Sequence, residues 1–157
     1  IIKPQLQTLG PRASHKLRKP LVHFIKEGIV NDRFVVDGLT VPDWIVDFAY
    51  KPSIGHLGVQ TEMVIFIAVD LAVSDPILKA ALAFSRATDI NAAHKAYDIR
   101  VAFDTHGQNS LVTNASRFLV EHQIDTRAYS TVDLSKKENL ESLVEKVRIE
   151  TGATLAL

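Results

Sequence analysis

Two aspartates in this chain stand in strongly apolar surroundings. Asp47 lies inside Trp44-Ile45-Val46-Asp47-Phe48-Ala49-Tyr50, and Asp70 lies in Val64-Ile65-Phe66-Ile67-Ala68-Val69-Asp70-Leu71-Ala72. A carboxylate buried alone is strongly destabilising, so each needs a cation, a hydrogen-bonded partner or a way out to water. Two acids on neighbouring strands are one way to hold a hard, oxygen-seeking cation such as magnesium or manganese. Glu62, just upstream of the second run, is a further candidate ligand. The plainer reading pairs each aspartate with a cation across the sheet, or places Asp70 at the end of its strand.

Other candidates are looser. The polar stretch Asp104-Thr105-His106-Gly107-Gln108-Asn109-Ser110 falls between a predicted strand and a predicted helix. There the amides of a helix start favour anions and small ligands, with His106 and Asn109 as contacts. In Gly55-His56-Leu57-Gly58, His56 sits on a glycine-flanked connection between the two acid-bearing runs. His15, Lys16, Arg18 and Lys19 bunch near the start and can contact phosphates. His23, His94 and His122 have no metal-ligand spacing and read as surface or satisfied side chains.

The elements that must position these residues follow from periodicity. Residues 1–13, with Pro4, Gly10 and Pro11, read as an irregular arm. Leu17, Leu21, Phe24 and Ile25 then give helical spacing from Ser14, or from Lys19 if Pro20 must stand in a first turn, and Gly28 ends it. Arg33–Val36, Asp37-Gly38 and Leu39–Val41 predict a hairpin with a two-residue turn. Alternation over 44–50 sets the aromatics on one face and Asp47 on the other, while the run from Met63 to Val69, apolar on both faces, predicts a central strand.

Ser74-Asp75-Pro76 opens a helix through about Arg86, and the Ala-rich stretch on to Ala96 is a close-packing face. Strands over 99–103 and 126–132 alternate with helices over 110–123 and from Ser135, where Ser135 and Glu138 have capping-box spacing, to near Gly152. The fold class is therefore α/β: a single-domain mixed sheet over residues 14–157 with helices on both faces.

The order αβββαβ, followed by a further helix, strand and helix, resembles the core of the restriction-endonuclease-like, or PD-(D/E)XK, nuclease superfamily over roughly residues 14–104. In that family an acid on the second core strand and an acid-x-Lys triplet on the third bind magnesium and activate water for phosphodiester cleavage. The resemblance makes Asp47 the first acid and Asp70-Leu71-Ala72 the triplet, with Ala72 where the lysine belongs. Lys79, on the helix after Asp70, or Lys51, four residues after Asp47, would then supply the missing charge, and His56 would donate to phosphate. Pro42-Asp43 followed by Glu62 imitates the family's motif, but proline-acid pairs are also ordinary turn material. The resemblance implies a degenerate nuclease-like domain that binds or processes nucleic acid with magnesium or manganese.

Composition sets the frame. With 157 residues, 46% hydrophobic and 23% charged, the chain suits one domain. Its formal net charge of zero supplies no global field toward nucleic acid or membrane, so either partner would need a local patch. The absence of cysteine excludes thiolate chemistry and fits a reducing compartment, with the cytoplasm as the expectation. No apolar run is long enough for a membrane span, and no membrane partner is expected. No glycine pattern of dinucleotide or P-loop type is present. The start, Ile1-Ile2-Lys3-Pro4, shows no initiator Met, so the chain reads as part of a longer one. Two rivals stand beside the nuclease-like reading: a non-catalytic module that engages a protein partner or a neighbouring domain, and a small-ligand site in the 104–110 loop.

Overall fold

The computed structural model describes residues 9–53, 61–71, 75–121 and 129–152. The elements run α1 (Pro11–Lys26), β1 (Asn31–Val36), β2 (Trp44–Tyr50), β3 (Met63–Asp70), α2 (Pro76–Ala93), β4 (Tyr97–Asp104), α3 (Asn109–Glu121), β5 (Ser130–Asp133) and α4 (Lys137–Thr151). The strands form one sheet in the order β1-β2-β3-β4-β5. The pairs β1–β2 and β2–β3 are antiparallel, whereas β3–β4 and β4–β5 are parallel and joined through helices. This is the mixed α/β sheet that the alternation of elements implies.

Period-two geometry divides the core. Val64, Phe66 and Ala68 of β3 face Ala13, Leu17, Leu21 and Phe24 of α1 and Leu143 and Val147 of α4. Ile65, Ile67 and Val69 face Ala80, Ala83, Phe84, Ala87 and Ile90 of α2 and Ala115 and Leu119 of α3. Covered on both sides, β3 has no polar residue until its last position, where Asp70 ends it.

Three local expectations change. First, α1 begins at Pro11, inside the segment read as an arm, and carries Pro20 in its interior. A proline there removes one helical hydrogen bond, and the helix is held instead from outside: Asp70 accepts the amides of Arg12 and Ala13. Gly10 makes that approach feasible, because a Cβ there would lie 2.7–2.8 Å from the β3 backbone at Val69 and Asp70.

Second, Leu39–Val41 is not a strand. The Asp89 carboxylate on α2 accepts the Thr40 and Val41 amides, the Thr40 hydroxyl and Trp44 Nε1–H, folding the segment as a loop against α2. Gly38 threads this clamp, with no room for a Cβ beside Asp89 and Trp44. Third, Ser135 is not the cap of α4; Lys136 holds that position, and the Ser135 hydroxyl bonds Asp133 at 2.8 Å instead. In addition, α2 continues past Arg86 to Ala93.

Candidate functional site

The C-terminal ends of the three parallel strands all carry aspartate: Asp70 on β3, Asp104 on β4 and Asp133 on β5. Asp70 and Asp104 are register partners. A strand that stops leaves amides of the next segment to be satisfied, and a short carboxylate meets that need. Asp70 bonds the start of α1 at 2.8 and 3.1 Å, Asp104 the amide of His106 at 3.0 Å, and Asp133 the amide of Ser135 at 3.1 Å. The Thr105 hydroxyl bonds both Asp133 oxygens and the Ser135 hydroxyl, tying β4 to β5. Burial raises the Asp133 pKa, but bonds from Ser135 and Thr105 overcome it and hold the group below its ordinary value.

Asp104 is fully buried and has a lysine and a histidine turned toward it. Lys16 Nζ, from α1, lies 3.1 Å from Oδ2, and His106 Nε2 lies 3.3 Å from the same oxygen. His106 stands in the left-handed region at φ +50°, followed by Gly107 at +83°, a turn that folds the ring back over the strand end. The cation beside these acids is thus Lys16, a residue of the first helix.

Asp47 occupies a different position. In a regular strand Val46 and Phe48 would share a face, yet Val46 belongs to the α2/α3 side and Phe48 to the α1/α4 side. The alternation therefore turns over at Asp47, beside Arg33 of β1 at φ +53°. The β2–β3 ladder ends at Phe48↔Phe66, and Asp47 Oδ2 takes the next amide, Ala68 N–H, at 2.7 Å. Asp47 is a plug in the fork between two strands, only 3% exposed, with Oδ1 lacking a hydrogen-bond partner among the described residues. Burial pushes its pKa up from 3.8 to about 6, against the Ala68 amide, the Ser14 hydroxyl and the charge of Arg86.

The remaining candidates are dispersed. Lys51 follows β2 and Glu62 precedes β3, both at the end of the sheet remote from Asp70, about 26–27 Å along β3 from it in the case of Glu62. Lys79 lies on α2, against the face opposite α1. Asn109 is the first residue of α3. His56 and Ala72 lie outside the described residues. Residue patterns placed Lys16 in the basic cluster and Asp104 in the polar loop but missed their pairing, and they missed Asp133; the signal for the acids was present, since all three parallel strands end on aspartate.

The chain matches no protein-family model, no curated protein and no solved structure.

A hard divalent cation prefers about six oxygen ligands, several of them charged. Each Asp70 oxygen accepts an α1 amide, and Asp47 Oδ1 has no hydrogen-bond partner among the described residues. Among the described residues no three His, Asp or Glu side chains gather where they could hold a metal ion. Both carboxylates of the pair thus serve the backbone, Asp70 at the start of α1 and Asp47 at Ala68. Removing the Asp70 carboxylate is expected to weaken α1 docking: Asp70→Ala should cost about 1–2 kcal/mol in urea unfolding and Asp70→Asn less, because its amide oxygen still accepts. Equal losses for the two variants would refute the capping role.

Proposed function

We propose that this chain is a nuclease-like domain of PD-(D/E)XK type that binds the phosphate backbone of nucleic acid through α1 without cleaving it. One observation carries the reading: the acid at the end of β3 grips the N-terminus of a helix that bears Arg12, Lys16, Arg18, Lys19 and Lys26 and no acid. Arg12, Lys16, Lys19, His23 and Lys26 recur at spacings of four, three, four and three residues, so they share one face. The apolar stripe Ala13, Leu17, Leu21 and Phe24 is buried on the other side. Lys16 is anchored to Asp104 and Arg18 to Asp32, whereas Arg12, Lys19 and Lys26 are exposed. From Arg12 to Lys26 the stripe spans about 21 Å, long enough to follow several phosphates. On a chain of zero net charge this is the local patch that nucleic-acid binding requires. The strand order and the element order αβββαβ support the nuclease-like part of the reading.

Electrostatic contact has a measurable signature. With about four phosphates engaged, the slope of log affinity against log salt on duplex DNA should be near −3.6, a loss of about a hundredfold between ~50 and ~200 mM. Lys19→Ala with Lys26→Ala should flatten the slope by about two and weaken binding on every sequence alike. Fluorescence anisotropy on labelled single- and double-stranded oligonucleotides measures this. A salt-independent affinity, or none, would refute the reading; magnesium-dependent cleavage abolished by Asp47→Ala would overturn its non-hydrolytic part.

A further inference from the structure

Away from the strand ends, a groove of about 210 Å³ opens between α4 and the strands β4 and β5. Its floor is apolar: Phe66 and Leu143 are buried there and Val132 is half-buried. Its rim is polar and exposed, made of Ser130 and Thr131 on β5 and of Ser142 and Lys146 on α4. None of these four side chains makes a hydrogen bond or an ion pair among the described residues. Three hydroxyls and an ammonium therefore border one opening with their donors unspent.

The charge that borders the groove is one-sided. Arg100 and Lys146 line it, and among the described residues no carboxylate does. The nearest acids are engaged with Arg100 itself: Glu150 accepts from Arg100 and Tyr50, and Asp98 accepts from Arg100, whose donors are thereby spent. Lys146 bonds neither acid, and its charge acts on Glu150 only through space. One cation is left for an occupant, which matches a single negative charge. A fully polar anion would set oxygens against Phe66 and Leu143, where no donor meets them, so the occupant needs an apolar body as well. The volume equals that of roughly seven waters at ~30 Å³ each, room for one ring or a short chain with its head group.

We propose that this groove binds a small monocarboxylate, with its apolar body on Phe66, Val132 and Leu143 and its carboxylate at the rim against Lys146 and the neighbouring hydroxyls. The head group stays in contact with water there, so its charge is not buried. The site does not depend on α1 binding anything.

Chemical-shift titration of the protein with benzoate tests it, beside benzyl alcohol as the uncharged counterpart and inorganic phosphate as an anion without an apolar body. Saturable shifts are expected with benzoate at residues 130–132 and 139–146, and benzyl alcohol and phosphate should each bind about fivefold more weakly or not at all. Lys146→Met should weaken benzoate about fivefold, the size of an exposed charge contact, whereas Lys146→Arg should stay within about twofold. Ser142→Phe, which fills the groove from an exposed position, should remove the saturable shifts; if it does not fold, the two lysine variants decide. Lys19→Ala with Lys26→Ala should leave benzoate binding unchanged, which separates this site from the α1 reading. Absence of saturable benzoate shifts, equal affinity for benzyl alcohol or phosphate, or a folded Lys146→Met that binds like the parent would overturn the proposal.

Discussion

Glu150→Ala is expected to destabilise the protein by about 3–5 kcal/mol, the largest single effect in the molecule. Glu150 closes a network that joins α4 to β2 and β4: its oxygens accept from Arg100 Nη1 and Nη2 at 2.7 Å each, and Tyr50 donates to it at 2.7 Å. The Arg100 and Glu150 side chains are 7% and 4% exposed, so truncating Glu150 leaves the buried Arg100 with only the half-buried Asp98 as counterion and strips the Tyr50 hydroxyl of its acceptor. Burial alone would raise the Glu150 pKa, but the bonds from Arg100 and Tyr50 draw it below its ordinary value, and burial pushes the Tyr50 hydroxyl up. A depressed acid contributes stability that is present above its unfolded value of 4.5 and lost as pH falls, so the variant's deficit should shrink in acid. Replacing the pair together, Arg100→Met with Glu150→Leu, should recover much of the loss, since the only charge that then loses its partner is Asp98, 34% exposed. Urea unfolding at neutral pH decides it; a loss under about 1 kcal/mol for Glu150→Ala would mean that Asp98 and water suffice to hold the Arg100 charge.

This network shows why some of the molecule is legible in sequence and some is not. The apolar run of β3, the start of α2 at Pro76 and the αL stop of α4 at Gly152 follow from local rules, because the energies involved act within a few residues. Arg100 and Glu150 are fifty residues apart, and Tyr50 is a further fifty away from Arg100, so no window of sequence contains their pairing. The same holds at the strand ends. Asp70 was legible as an acid needing a partner, but its partners are backbone amides 57 and 58 residues upstream, and Gly10-Pro11 reads as a loop as readily as a cap with proline at the first helical position. The hairpin expected at Asp37-Gly38 failed for a related reason: turn chemistry favours a tight reversal there, and four hydrogen bonds to Asp89, about fifty residues on, outweigh it. Long-range carboxylates decide the places where local propensity misleads.

The sharpest consequence concerns Asp47, and its sign is opposite to that of Glu150. Its folded pKa of about 6 lies above the unfolded 3.8, so the folded state holds the proton more tightly. Such a group's contribution is fully present below 3.8 and is lost as pH rises through about 6, a span equivalent to about 3 kcal/mol. With Glu150 losing its contribution below 4.5, stability should be greatest near pH 4, about the two unfolded values, fall up to about pH 6 and level off above it. Asp47→Asn removes the ionisation while keeping an oxygen for the Ala68 amide and adding a donor beside the Ser14 hydroxyl. The variant should therefore melt higher than the parent at pH 8, by up to about 3 kcal/mol, and match it near pH 4. Parallel melting profiles from pH 4 to 8 would sink the idea that Asp47 ionises inside the fold. Oligonucleotide binding by the same variant then separates the two roles open to this acid. Higher stability with unchanged binding makes Asp47 a plug of the β2–β3 fork alone; higher stability with lost binding makes it the residue at which folding and function pull in opposite directions.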